Sequence, residues 1–216
     1  MDKKLQQKPI NIVKVVLFGP ESTGKTTLAS QLAYHYQTVW APEFAREYLQ
    51  EKWNNKRQVC EHEDLLPIAI GQMKMENKLA KRADRVLICD TDLLETKVYS
   101  EEYYDGIVDR DLEIAAEKNQ YDIYLLTYID IPWKLDSIRD RPEQRENMFK
   151  AFERALKNSN RPYVTLKGDE ERRFKKAIEV IDGVLAKKEN LYNYSESEDI
   201  VVKRKSLFSK FFNFGD

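Results

Sequence analysis

The segment Gly19-Pro-Glu-Ser-Thr-Gly24-Lys25-Thr26 constrains this chain more than any other. It satisfies the phosphate-loop pattern G-x-x-x-x-G-K-[ST] at every fixed position. A β-branched apolar run, Val13 to Phe18, precedes it and reads as a strand buried on both faces. Behind it Leu28, Leu32, Ala33 and Tyr36 recur at helical spacing, so the loop opens a helix from Gly24 to Tyr36. In that setting glycines let successive backbone N–H groups turn inward on phosphate oxygens, and the helix N-terminus favours the anion. Gly19, Glu21, Ser22, Thr23, Gly24, Lys25, Thr26 and Thr27 are therefore the candidate ATP-binding residues. Lys25 would reach the outer phosphates, and the Thr26 hydroxyl suits Mg²⁺, a hard cation that takes few protein oxygens.

The rest of the chain continues the alternation of strand and helix. Strands are expected at Thr38 to Ala41, Val86 to Cys89, Tyr121 to Thr127 and Tyr163 to Leu166. Helices are expected at Glu43 to Trp53, through about Ala83 after a polar stretch, and from Asp92 to Tyr103. Others follow at Asp111 to Lys118, Glu146 to Lys157 and Glu170 to Lys187. Pro67 fits the long helix only if it stands in the first turn. Five strands alternating with helices make an α/β three-layer P-loop sandwich around a mostly parallel five-stranded sheet. Residues 12–189 form its domain, after an N-terminal extension, 1–11, and before a tail, 190–216.

Composition removes several function classes. With 36 Lys+Arg against 37 Asp+Glu, the net charge of −1 lacks the basic excess that nonspecific nucleic-acid binding needs. Two cysteines, Cys60 and Cys89, are too few for a disulfide framework and suit a reduced, cytoplasmic compartment. No apolar run reaches the roughly 18–20 residues of a membrane span, and the N-terminus lacks a signal-peptide core. Cys60-x-His62 is short of the ligands a zinc site requires.

A phosphate loop alone serves kinases, GTPase switches and regulatory ATPases. Asn77-Lys78 continues as Leu79-Ala80 inside a helix, so the N-K-x-D guanine signature is missing. A small-molecule kinase needs a carboxylate for the acceptor hydroxyl and cations for the transferring phosphoryl group. Glu43 stands at the end of the second strand, where open α/β sheets place their ligands, and is the first candidate base. Asp90 and Asp92 end the Val86 strand; one could serve the Mg²⁺ shell and the other a ribose hydroxyl, and Asp92 could instead cap a helix. Arg46, three residues beyond Glu43, shares its helical face. Arg139, Arg141 and Arg145 crowd R-D-R-P-E-Q-R, a candidate lid whose rigid forks could clamp phosphate, although the interleaved acids also fit surface ion pairs.

Five segments together resemble the kinase domain of NadR-type proteins, the ribosylnicotinamide kinases: F-G-P-E-S-T-G-K-T-T-L from Phe18, W-A-P-E-F-A-R-E-Y from Trp40, C-D-T-D from Cys89, R-D-R-P-E-Q-R from Arg139 and N-R-P-Y from Asn160. The resemblance covers about residues 12–185. It implies a nucleoside-kinase-like fold that uses ATP and Mg²⁺ to phosphorylate the 5′-hydroxyl of nicotinamide riboside, giving nicotinamide mononucleotide for NAD synthesis. Fuller members of the family add an adenylyltransferase domain, and some a DNA-binding one. About a dozen residues precede the first strand here, and His35 and His62 form no H-x-G-H motif, so only the kinase activity is expected of this chain. A kinase for another nucleoside or nucleotide, and a regulatory ATP-binding module, remain the alternatives.

The tail changes character: acidic Ser195 to Asp199, then Lys203-Arg-Lys205, then Leu207, Phe208, Phe211 and Phe212 on one helical face. Such a segment could dock on the core, on a second protomer in a homo-oligomer, or weakly on an anionic membrane.

Overall fold

The computed structural model describes residues 2–133 and 144–211. Five strands, β1 (Val13–Phe18), β2 (Trp40–Ala41), β3 (Val86–Asp90), β4 (Ile123–Thr127) and β5 (Tyr163–Leu166), form one sheet in the order β2-β3-β1-β4-β5. Every pairing is parallel, with Val15 opposite Ile88 on one side and Ile123 on the other. Among the described residues seven α-helices accompany them: α1 (Lys25–His35), α2 (Phe44–Lys56), α3 (His62–Ala80), α4 (Leu93–Tyr103), α5 (Arg110–Lys118), α6 (Arg145–Asn158) and α7 (Glu170–Phe211).

Strand alternation divides the core into two layers. Val16, Phe18, Leu87, Cys89, Tyr124 and Leu126 face α3, α4, α5 and α6. Val13, Val15, Leu17, Ile88 and Leu125 face α1 and α7. Burial on both sides explains why β1 reads as a nearly continuous apolar run. Its one charged residue, Lys14, is buried and paired with Glu76 of α3 at 3.0 Å. The order places β1 centrally, with α1 leading to one side of it and later connections to the other. That crossover opens a crevice at the carboxyl ends of β1 and β3.

Four sequence expectations are corrected. β2 is shorter than Thr38 to Ala41, because the Thr38 hydroxyl donates to the Val86 carbonyl and accepts from the Asp84 N–H in place of a ladder. β4 begins at Ile123 rather than Tyr121, where the Asp122 carboxylate accepts from the Lys14 N–H. Pro67 stands in the second turn of α3, not the first. Its ring lies on the exposed side, where water can take the carbonyl that loses its helical donor, and a capping box between Glu61 and Asp64 starts the helix. α7 continues past Lys187 to Phe211, since no glycine or proline interrupts residues 184–211. Among the described residues, no helix is long and apolar enough to cross a membrane.

Candidate active site

The phosphate loop is held open by its glycines and pinned to β4. Gly19 has φ +134°, and a Cβ there would lie 2.8 Å from the Thr127 hydroxyl and 2.9 Å from its carbonyl oxygen, so a side chain is excluded. Gly24 has φ +82° and stands as the N-cap of α1. The Thr23 hydroxyl donates to the Pro20 carbonyl and lies 2.7 Å from the Thr127 hydroxyl, closing the loop on itself.

Lys25, the first residue of α1, turns its ammonium back under the loop. It donates to the carbonyls of Gly19 at 2.5 Å and Pro20 at 3.0 Å, and stands 3.2 Å from Glu95 Oε1. Glu95 Oε2 also accepts from the Gly19 N–H at 3.4 Å. Both side chains are buried. Glu95 is a site residue the sequence reading missed. The sequence carries no signal for it, because only the packing of α4, which buries Leu93, Leu94, Glu95, Thr96, Val98 and Ser100, shows that this carboxylate is enclosed.

The metal-binding candidates meet. The Thr26 hydroxyl donates to Asp90 Oδ2 at 2.6 Å, while Asp90 Oδ1 is buried with no hydrogen-bond partner. Among the described residues no cluster of three or more His, Cys, Asp or Glu has metal-ligand geometry. Mg²⁺ does not ask for one, since it keeps several waters and binds through one or two carboxylates. An orphaned carboxylate oxygen beside a hydroxyl is a donor set that fits it.

Charge in this cluster is unbalanced. Glu43 and Asp90 join Glu95 in acting on Lys25. Burial alone would lower the Lys25 pKa, but the three carboxylates outweigh it and raise it, so the ammonium stays charged. Burial pushes Asp90 up to about 6, with the Glu43 charge adding to it and Lys25 opposing. Burial, opposed by Lys25 and reinforced by Glu43 and Asp90, pushes Glu95 up to about 8. Taken by itself the raised Lys25 implies an ionised Glu95, whereas the raised Glu95 implies a proton on it. Asp90 and Glu95, both buried, and the half-buried Glu43 crowd one ammonium, which supports the second: Glu95 is the group that holds a proton.

Glu43 is the N-cap of α2, yet its side chain makes no capping hydrogen bond. It lines two adjoining cavities, of about 240 and about 230 Å³. The first is bounded by the phosphate loop, Arg46, Ile131, Glu170 and Arg173. The second is bounded by Glu21, Glu43, Glu95, Trp53, Tyr99 and Tyr104, among others. Asp92 lines neither. Its Oδ1 caps α4 through the Glu95 N–H at 3.0 Å and its Oδ2 accepts from the Tyr124 hydroxyl at 2.8 Å, so both oxygens are taken in the core.

Two arginines brace the first cavity. Arg145, at the start of α6, donates to the carbonyls of Ile131 and Ser22 at 3.0 and 3.2 Å and lies over the Trp133 ring. Arg139 and Arg141 lie outside the described residues. Arg173 of α7, also missed, is buried and donates to the carbonyls of Gly168, Thr23 and Tyr128 and to the Asp130 carboxylate. Nothing in the run Glu170-Glu-Arg-Arg-Phe-Lys-Lys176 sets Arg173 apart from its charged neighbours, so that role could not be read.

A family model described as an AAA domain matches residues 14–173. The chain belongs to that family. Among curated relatives it is 27% identical over 179 residues to the trifunctional NAD biosynthesis/regulator protein NadR of Salmonella typhimurium, covering 81% of this chain and 43% of that protein. The chain thus spans less than half the length of that relative. Among solved structures, a NadR protein in complex with NR superposes with TM-score 0.69 at 21% identity, covering 82% of this chain and 52% of that one. A NadR protein in complex with NAD and AMP-PNP gives 0.66 at 22%, covering 81% and 50%. The chain thus shares the fold of the matched part of these NadR proteins, a parallel α/β P-loop sandwich with flanking helices.

Proposed function

We propose that this AAA-family domain transfers the ATP γ-phosphoryl group to a nucleoside, nicotinamide riboside, giving the mononucleotide. The observation that carries this reading is the contrast between two cavities that share Glu43 and Glu21. One side offers Lys25, Arg46, Arg173 and the loop amides, a cationic wall suited to a triphosphate. On the other side Glu21, Glu43 and Glu95 stand among Trp53, Tyr99, Tyr103 and Tyr104, with no Lys or Arg among the described lining residues. Such a pocket repels a phosphate monoester and attracts an aromatic cation, and nicotinamide riboside carries a pyridinium. The NadR likeness supports the same acceptor.

Glu43 lies on the boundary between donor and acceptor cavities, where it accepts the proton of the acceptor hydroxyl. Lys25 exchanges its bonds to the loop carbonyls for the outer phosphates and offsets their charge. Thr26 and Asp90 would hold Mg²⁺, which when bound adds positive charge beside the phosphate oxygens. Arg145 braces the loop through the carbonyls of Ser22 and Ile131, while the phosphate-clamping role expected of Arg139 and Arg141 lies outside the described residues.

Incubation with Mg-ATP and a panel of nucleosides and nucleoside monophosphates, measuring ADP with and without each acceptor, tests the proposal. ADP release should rise with nicotinamide riboside. Preference for a monophosphate would overturn the acceptor assignment, and ADP formation indifferent to every acceptor would indicate a regulatory ATPase.

A further inference from the structure

Glu43 should, as an N-cap, turn its carboxylate onto the first amides of α2, and it does not. The Phe44 N–H is instead capped from another helix: Gln72 of α3 accepts it at 2.8 Å. Only the amide oxygen can accept, so this bond fixes the orientation of the Gln72 side chain and leaves Nε2 on the other side. Gln72 is 2% exposed and lines the acceptor cavity, and its Nε2 has no hydrogen-bond partner. The adjacent residue, Gly71, lacks the Cβ that would overlap the Phe44 ring, which allows α2 to approach α3 this closely.

A buried amide donor without an acceptor is costly in a folded protein. We infer that Gln72 is a specificity-determining residue: its Nε2 donates to an uncharged oxygen of the acceptor nucleoside, while its Oε1 holds the start of α2 and with it Glu43. The inference rests on the kinase reading and deepens it. An oxygen of this kind exists on the base, as a carboxamide or ring carbonyl, and on the ribose, as a hydroxyl. Sites built to donate to such a group discriminate strongly against analogues that lack it, because the buried donor is then left unpaired.

The two functions of Gln72 separate by substitution. Gln72→Glu keeps an oxygen for the Phe44 N–H and removes the donor, whereas Gln72→Met removes both. The full chain would be assayed with nicotinamide riboside, with its analogue lacking the carboxamide oxygen, and with its 2′-deoxy and 3′-deoxy analogues. In the wild type, one of these deletions should lower kcat/KM by about tenfold or more. In Gln72→Glu that deletion should cost less than about twofold, with the KM for ATP unchanged. Gln72→Met should lose the same discrimination and, in addition, kcat, because Glu43 is no longer held. Whichever analogue goes silent in the variants identifies the oxygen. If Gln72→Met does not fold, Gln72→Glu carries the test alone. Discrimination retained in Gln72→Glu, or absent from the wild type, overturns the inference while leaving the kinase reading intact. A wild type that phosphorylates no nucleoside overturns both.

Discussion

The Lys25 ammonium stands 3.2 Å from Glu95 Oε1, and neither side chain has appreciable access to water. With Asp90 and Glu43 acting on the same cation, more negative than positive charge is enclosed beneath the phosphate loop. This gives the protein an inverted pH response. A carboxyl group whose pKa is higher folded than unfolded binds its proton more tightly in the folded chain. Stability is then greatest below the unfolded value and falls as pH rises through the folded one. For Glu95 that window runs from 4.5 to about 8, and for Asp90 from 3.8 to about 6. The ligand-free protein should therefore lose a few degrees of Tm between about pH 5 and about pH 8. Glu95→Gln, which mimics the protonated form, should flatten that slope. An unchanged slope in the variant would contradict the assignment of the proton.

Substitution of the two residues assigned to chemistry should give different kinetic signatures. Lys25→Ala should lower kcat by about 10²-fold or more, because the charge it offsets develops at the phosphoryl group. Glu43→Gln should lower kcat by about 10²- to 10⁴-fold while changing the KM for ATP by less than about threefold. Circular dichroism and Tm establish that both variants are folded. Wild-type turnover in either one removes its role.

Arg173 links α7 to the Thr23 carbonyl, to the loop after β5 at Gly168, and to the end of β4 at Tyr128 and Asp130. No other single side chain described here ties the phosphate loop to both. Arg173→Ala leaves Asp130 with only the Gly168 N–H, removes the side-chain donor from three carbonyls, and should cost about 3 kcal/mol in urea unfolding. Arg173→Lys should recover only part of this, since an ammonium cannot reproduce the fork. Both should raise the KM for ATP. Equal stability of the three proteins would show that the loop holds its shape without α7.

How much of this site the sequence discloses depends on whether a residue's role is local. Gly19 to Thr26 are legible because the motif, the strand before it and the helix behind it are contiguous, and each fixes the geometry of the next. Glu43 is suggested by the rule that parallel sheets place ligands at the carboxyl ends of their strands, and it lines both cavities, whereas Asp90, at the end of β3, is fully buried against the Thr26 hydroxyl. Asp92 occupies a similar position two residues on, and its side chain turns into the core to cap α4 and bond Tyr124. Spacing alone cannot separate those outcomes. Glu95, Gln72 and Arg173 are set by packing between elements distant in sequence, and nothing near them in the chain announces it. The shortened β2 and β4 have the same origin, since the side chains of Thr38 and Asp122 replace ladder bonds.

Gly71 gives the sharpest test of how helix packing sets the position of Glu43. Alanine is intrinsically better than glycine in a helix interior by about 1 kcal/mol, so Gly71→Ala would stabilise an exposed helix. Here the new methyl would overlap the Phe44 ring, and rigid neighbours must shift to admit it. Overpacking of this kind costs about 1–3 kcal/mol, which exceeds the gain in propensity, so the variant should be destabilised overall. The displacement also falls on the first residue of α2, directly after Glu43, so kcat should drop while the KM for ATP holds. Phe44→Leu supplies the missing room. The double variant Gly71→Ala, Phe44→Leu should thus be more stable and more active than Gly71→Ala alone, a coupling between contacting sites that additive effects would not produce. Additive losses in Tm and kcat would mean that α2 is positioned by something other than the seat of Phe44 on α3.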